Sequence, residues 1–441
     1  MTMDTTIKSP SRRLLLAGAG AMALAGCGSK SESAKAAGDA KAAMPAGVFA
    51  DGKGPEVKGA KLGFIALTDC SPLIIAKEKG LFAKYGLPEV EVLKQASWGA
   101  TRDNLVLGSG GGGIDGAHIL SPMPYLISTG QATGGKPVPM YTLARLNLNG
   151  QAISIGNDLK GLKVGLDASA AKARFAELKA KGTPAQVAMT FRGGTHDLWI
   201  RYWLAAAGVN PDVDVSTIVI PPPQMVANMK AGTQDAFCVG EPWGGQLVSQ
   251  QIGYTACTTS ELWMDHPEKA LGMRADWVDR HPLAAKALLM AVMEAQQWCE
   301  PREHREEMCQ IVSGRQWINV PIADILPRQL ADIDYGSGRV EKASPHVMKF
   351  WSNNASFPFR SHDLWFLTED VRWGVLPAST DTTALVGKVN RSDLWREAAK
   401  AIGVPGPDGD SRGLERFFDG KVFDPVDPKA WLDAQAIKSL A

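Results

Sequence analysis

Cysteine is scarce in this chain, with six residues among 441. That excludes the disulfide scaffold on which small secreted domains rely. No sign of charge dominates: 47 Lys and Arg face 46 Asp and Glu, a formal net charge of +1. A globally basic nucleic-acid binder would carry a visible cationic excess, so that class is excluded too. Signatures of catalysis are missing as well. The run Gly110–Gly113 is followed by no Gly-Lys-Ser/Thr, and no G-x-G-x-x-G precedes an acidic residue about 20 positions on. A tight backbone turn is the reading left for those glycines. The seven histidines (118, 196, 266, 281, 304, 346 and 362) never pair at zinc-helix spacing, and neither His-Glu-x-x-His nor Gly-x-Ser-x-Gly occurs. No nucleophile-and-base constellation assembles, so the chain reads as a binding protein rather than an enzyme, with no metal and no cofactor.

What is present is ordinary globular material. Apolar residues make up 45% and charged residues 21%, and the length allows two or three domains with sizeable cores.

The N-terminus stands apart. Arg12-Arg13 opens an apolar run that ends in Leu24-Ala25-Gly26-Cys27. A charged start, a short apolar stretch and small residues before a cleavage point form an export signal. The run of about a dozen residues is too short to span a bilayer. The Arg pair resembles a twin-arginine signal, with an ordinary Sec signal as the alternative. The last four residues resemble the bacterial lipobox, which makes Cys27 the lipidation site and residues 1–26 the signal peptide. Residues 27–58 are poor in large apolar groups and read as a flexible tether between the anchor and the body. Removing residues 1–26 takes away three cations and one anion, so the mature chain carries 44 cations against 45 anions. Cys70, Cys238, Cys257, Cys299 and Cys309 remain; we read them as buried free thiols, with one or two exported disulfides as the alternative.

Along the body, strand and helix patterns alternate. Strands are expected at 61–67, 90–94, 114–118, 162–166, 215–220 and 236–239. Helices are expected at 71–79, 195–206, 222–231, 283–312 and 392–402, and 104–107 reads as the end of another. This rhythm implies parallel sheet. It restarts near Gln151, which suggests two α/β halves around a cleft and a helical C-terminal region. We divide the chain into lobe 1 (59–150), lobe 2 (151–265) and a segment (266–441) that returns to lobe 1 and extends it. Thr195-His196 sits where a helix begins, after Arg192-Gly193-Gly194. A helix N-terminus favours anions, although a simple cap by Thr195 explains the same residues.

Longer motifs now bring specificity. KLGFIALTDCSPLIIAKEKGLFAKYGL, QASWGATRDN and GGIDGAHILSPMPYLI are followed by RGGTHDLWIRYWLAAAG, PPPQMVANMKAG, DAFCVGEPWG and HPEKALGMRADWV. In this order they resemble the nitrate- and bicarbonate-binding lipoproteins of bacterial ABC importers, over roughly residues 60 to 430. Gly110 departs from the charged residue that the family pattern leads one to expect there.

The resemblance implies a periplasmic-binding-protein fold of type II. It implies a monomer in the periplasm or cell envelope, held to the membrane through Cys27, that serves a permease and its ATPase subunits. It also implies a ligand site of Trp98, Gln151, His196, Gly240 and Lys269, with Thr195, Pro222 and Glu241 beside it. Nitrate has acceptor oxygens and no proton to donate, so we expect a site made of donors, with Lys269 neutralising the charge. Bicarbonate-binding relatives place an acidic residue at the Lys269 position, with calcium nearby. Lys269 therefore favours nitrate, with nitrite as second ligand. The rival readings within the same fold are a nitrate-sensing regulator, a bicarbonate-binding protein and a sulfonate-binding protein.

Overall fold

The computed structural model describes residues 53–439. The export signal, Cys27 and residues 28–52 of the expected tether lie outside them. The end of that tether does not hang free. Both carboxylate oxygens of Glu56 accept backbone N–H groups of Leu283 and Ala284 at 2.9 Å, at the start of the helix Pro282–Cys299. Val57 packs on the adjacent core. The body therefore begins before residue 58.

Ten strands make two five-stranded sheets. In chain order they are β1 (Lys61–Phe64), β2 (Glu91–Lys94), β3 (Gly116–Leu120), β4 (Met140–Arg145), β5 (Gln151–Gly156), β6 (Gln186–Met189), β7 (Ser216–Val219), β8 (Ala236–Gly240), β9 (Gly253–Thr258) and β10 (Lys269–Arg274). The first sheet has the order β2-β1-β3-β10-β4 and the second β7-β6-β8-β5-β9. Within each sheet four strands run in one direction and a single strand, β10 in the first and β5 in the second, runs antiparallel to both of its neighbours. The antiparallel fourth strand is the one that has just crossed from the other lobe: β10 enters the first sheet, and β5 the second. Two crossings, at 146–150 and 259–268, thus join the lobes. They touch through the bridge between Leu148 and Pro267. This is the two-lobed arrangement that the family resemblance implies.

Three local expectations need correction. Residues 162–166 form no strand. They begin with the last residue of the 3-10 turn Asn157–Leu162, and the strand of that region is β5, whose six residues are all buried. The expected helix 283–312 is two helices, Pro282–Cys299 and Arg302–Val312, because Pro301 lacks the N–H that a continuous helix requires. Thr195 does not cap the helix Thr195–Ala206; Gly194 holds the cap position and Thr195 is the first helical residue.

The C-terminal segment serves both lobes. One apolar core gathers β1–β4 and β10 against the helix Pro282–Cys299. The other gathers β5, β6 and β8 with Trp365, Phe366, Phe417 and Trp431. Residues 364–389 and 417–431 therefore complete lobe 2, while the helix Ser392–Ala401 puts Trp395, Ala398 and Ala399 into the lobe 1 core. In that second core Trp199, Trp263, Trp365 and Phe417 meet at ring-centroid distances of 5.0–6.1 Å. All five cysteines of the body are buried and unpaired. Burial pushes their thiols well up, which leaves them protonated and inert.

Candidate functional site

In open α/β sheets, side chains for binding gather beyond the carboxyl ends of parallel strands, where chain connections change direction. Here the two crossings bring both sheets to one such place. Gln151 is the first residue of β5 and pairs with Gly240, the last of β8. Lys269 is the first residue of β10 and pairs with Leu120, the last of β3. Trp98 opens the helix Trp98–Leu107, whose N-cap Ser97 accepts the Ala100 N–H at 3.1 Å. His196 is the second residue of its helix, behind Gly193, which has a φ of +73°. Gly193 donates its N–H to Asp197 at 2.9 Å and so orients that first turn.

The structure brings Trp98, Gln151, His196, Gly240 and Lys269 together, all of them buried except that no side chain exists at Gly240. A Cβ placed on Gly240 would lie 2.6 Å from Gln151 Oε1 and 3.1 Å from Asp69 Oδ2. Only glycine lets the two walls approach this closely.

The cluster also holds groups that sequence reasoning missed. Lys269 Nζ lies 2.9 Å from Asp69 Oδ2 and 2.9 Å from Glu268 Oε1. The site is therefore not made of donors alone, and its single ammonium already faces two carboxylates. Asp69 also meets His118 Nε2 at 2.6 Å and accepts from Gln151 Nε2 at 3.1 Å. Glu268 accepts from Trp199 Nε1 at 2.9 Å and from the Thr195 hydroxyl. Thr195 thus acts through Glu268 rather than by capping.

Among the other secondary candidates, Glu241 turns its carboxylate to Arg328, while its carbonyl accepts the Thr68 N–H at 2.7 Å. Pro222 starts the 3-10 turn Pro222–Gln224, on lobe 2.

The network assigns the histidine tautomers. The Gln151 amide N–H faces Asp69, so its oxygen must accept, and His196 Nε2 donates to it at 2.7 Å. His196 Nδ1 then accepts from the Thr190 hydroxyl at 2.5 Å. A neutral ring satisfies both bonds. Burial, reinforced by the Lys269 charge, holds His196 well below its ordinary pKa. Burial likewise depresses His118 and takes His266 to about 3. Burial also acts against the ionised form of Asp69, but Lys269 and His118 outweigh it and keep that carboxyl well below the usual carboxylate range. At Glu268 burial wins over Lys269, and its pKa is raised. One donor of the cluster has no partner: Trp98 Nε1, fully buried. Lys269 Nζ stands 5.9 Å from the Trp98 ring centroid.

Beside Gln151 and Glu241 the packing leaves a void of about 20 Å³, room for about one water. A much larger cavity, about 640 Å³, lies between the lobes and is lined by Ser97, Arg102, Thr190, Arg192, Pro221 and Val375 among others. It reaches the cluster at two points, Ser97 next to Trp98 and Thr190 on His196. The chemistry lies behind the cavity, not in it. Among the described residues no group of three His, Cys, Asp or Glu is placed to hold a metal ion, and no helix is long and apolar enough to cross a membrane.

Comparison with known proteins gives this geometry a context. The NMT1-like family pattern matches residues 53–313. The nitrate/nitrite binding protein NrtA of Synechocystis sp. is 64% identical over 390 residues, 88% of this chain and 86% of that protein. The bicarbonate-binding protein CmpA of Synechococcus elongatus is 44% identical over 395 residues, 87% of this chain and 88% of that one. The crystal structure of the periplasmic nitrate-binding protein NrtA from Synechocystis matches with a TM-score of 0.85 at 63% identity. That match covers 87% of this chain and all of the solved one.

Proposed function

This chain belongs to the NMT1-like family, and on that premise we propose that it is the solute-binding component of a bacterial ABC importer. It captures nitrate, with nitrite as second ligand, between its lobes and delivers it to a membrane permease with its ATPase subunits. It works in the periplasm, where lipidated Cys27 ties it to the membrane. No covalent step is involved.

The observation that carries this reading is the pairing of a free, buried Trp98 N–H with the buried Lys269 ammonium at the junction of both lobes. Nitrate offers acceptors only. Trp98 supplies an unused donor, and Lys269, Gln151 and His196 supply donors now engaged within the protein. The family resemblance implies an acidic residue at the Lys269 position in bicarbonate binders, so the charge there should separate the two ligands. The lobes close around the anion by hinge motion at the crossings 146–150 and 259–268. Micromolar capture requires about −8 kcal/mol, which a few charge-assisted hydrogen bonds reach when they are held in place beforehand.

Isothermal titration calorimetry with nitrate, nitrite, bicarbonate plus calcium, and taurine tests the assignment. Nitrate should bind at micromolar concentration, and bicarbonate and taurine should not compete. Absence of heat with both nitrate and nitrite defeats it. In Lys269→Glu the nitrate signal should vanish while the circular dichroism spectrum is kept; retained affinity would remove Lys269 from the site.

A further inference from the structure

We propose that the site takes its anion only with Glu268 protonated, so that nitrate and one proton bind together. This rests on the nitrate reading above and concerns a residue outside the expected ligand set.

The argument is one of charge balance at zero exposure. Asp69, Glu268 and Lys269 are each fully buried. One ammonium stands between two carboxylates, 2.9 Å from each. A nitrate added to two ionised carboxylates would leave two uncompensated negative charges in a dry interior, which is strongly unfavourable. The remaining titratable neighbours do not offset them. On the Glu268 side, His196 Nε2 lies 3.6 Å and His266 Nδ1 3.7 Å away, and His118 faces Asp69. Burial holds His196 and His266 neutral and both rings are already committed, and it depresses His118, whose Nε2 is spent on Asp69. His196 bridges Thr190 and Gln151, and His266 bridges Thr259 and its own Pro267 carbonyl. The more distant charges around the His266 turn, Asp265 and Arg412, are engaged with Lys349 and Glu415 respectively.

The two carboxylates differ in what protonation would cost. Asp69 receives three donors that all favour its anion: Lys269, His118 and Gln151. Glu268 is placed otherwise. Its main-chain carbonyl is held from lobe 1 by the Ser121 hydroxyl at 2.8 Å. Its side chain reaches across to Thr195 and Trp199 of lobe 2. As a neutral acid it keeps both partners, because a hydroxyl such as that of Thr195 accepts as readily as it donates. Trp199 still donates to the other oxygen. Burial raises the pKa of Glu268 against the opposing pull of Lys269, Thr195 and Trp199.

The step balances. The Glu268 carboxylate takes one proton from solvent, and Lys269 releases Oε1 and turns to the incoming anion. The added proton and the added nitrate cancel, so the net charge of the cluster is unchanged. No bond other than O–H forms.

The test is calorimetry of the full chain with nitrate from pH 6 to 10, in pairs of buffers that differ in ionisation heat. The expected result is uptake of about one proton per nitrate at the alkaline end, with affinity falling about tenfold per pH unit there. Glu268→Gln should bind nitrate more tightly than the parent chain at pH 9, with no proton uptake and a flat pH profile. Equal heats in paired buffers together with a flat affinity in the parent chain overturn the proposal. So does a Glu268→Gln chain that still takes up a proton, which would place it on His118, His196 or Asp69. If that variant does not fold, the buffer pairs on the parent chain decide alone. Absence of nitrate heat at every pH defeats the nitrate reading instead, so the two failures are distinct.

Discussion

At the scale of single residues, Trp98 is the most informative side chain in the cluster. Its ring is fully buried and stands beside His118 at a centroid distance of 5.5 Å, yet its N–H has no partner. A buried donor left unmade is unfavourable, so the ligand-free protein gives up stability that the anion restores. Trp98→Phe keeps the ring and removes the N–H. Nitrate affinity should fall by about 1.5–3 kcal/mol, the usual worth of a hydrogen bond to a charged group, or roughly tenfold or more. The melting temperature of the ligand-free chain should hold or rise. Calorimetric titration and thermal unfolding check the two halves; unchanged affinity would remove Trp98 from the ligand set. Trp98, His196, Gly240 and Lys269 are legible in the sequence because long motifs carry them in order, and Gln151 sits in the shorter run LNGQAISI. Asp69 and Glu268 lie inside two of those motifs and were still missed. An acidic residue beside a lysine in HPEK reads as a solvated pair, and no local pattern says that Asp69, 200 residues earlier, shares the same ammonium.

At the scale of elements, the helices Thr195–Ala206 and Arg360–Arg372 pack against one another and bury charge as well as apolar surface. Asp197 and Arg201 pair at 2.7 Å, and Arg201 reaches Asp212 at 2.7 Å. Asp370, on the second helix, has no hydrogen-bond partner on either carboxylate oxygen. Burial, with Asp197 and Glu369 nearby, raises its pKa well above the ordinary value. A carboxyl whose folded-state pKa is raised adds stability below its unfolded pKa, and that stability is lost as pH rises through the folded value. Asp370→Asn stays neutral throughout. Its melting temperature relative to the parent chain should therefore climb from pH 5 to pH 9, with a gain of about 1–3 kcal/mol at the alkaline end. Differential scanning calorimetry across that range checks this; a difference independent of pH would mean that Asp370 has the same pKa folded and unfolded. Pattern reading located β1, β2, β3, β7 and β8 because apolar periodicity is local, but it passed over β4, β5, β6, β9 and β10, most of which are buried along almost their whole length and show no alternation. It failed at 162–166, where an apolar stretch lies over lobe 2 without joining its sheet. It also overran Pro301, which breaks what otherwise reads as one long helix.

At the scale of the whole molecule, the lobes meet through bonds that need no ligand. Trp243 Nε1 donates to the Ala66 carbonyl at 3.0 Å, the Thr68 N–H reaches Glu241, and Glu268 spans to Trp199. Nitrate adds to these contacts only in the folded form, so it should stabilise the protein by mass action. At a hundredfold excess over its dissociation constant the gain is about 2.7 kcal/mol, read as a rise in melting temperature that taurine does not produce. No rise with nitrate would contradict the proposed function. The near-zero net charge means that no global field draws the anion in. Arg102 and Arg192 line the interlobe cavity, and attraction is confined to that mouth and to the buried ammonium behind it.

The amino-acid order by itself determined the two α/β halves, the restart at Gln151, the buried thiols and the residues that meet at the cleft. Each is written in local periodicity or in contiguous motifs. Only the tertiary structure decided the charge state of the site. Lys269 reads in sequence as a free cation awaiting an anion; in the fold it stands between Asp69 and Glu268. It likewise decided that residues 364–389 and 417–431 complete lobe 2 while the helix Ser392–Ala401 returns to lobe 1. The reason is the same in both cases. Buried electrostatics and core membership depend on which distant segments share a space, and the crossings at 146–150 and 259–268 settle that only once both sheets have formed.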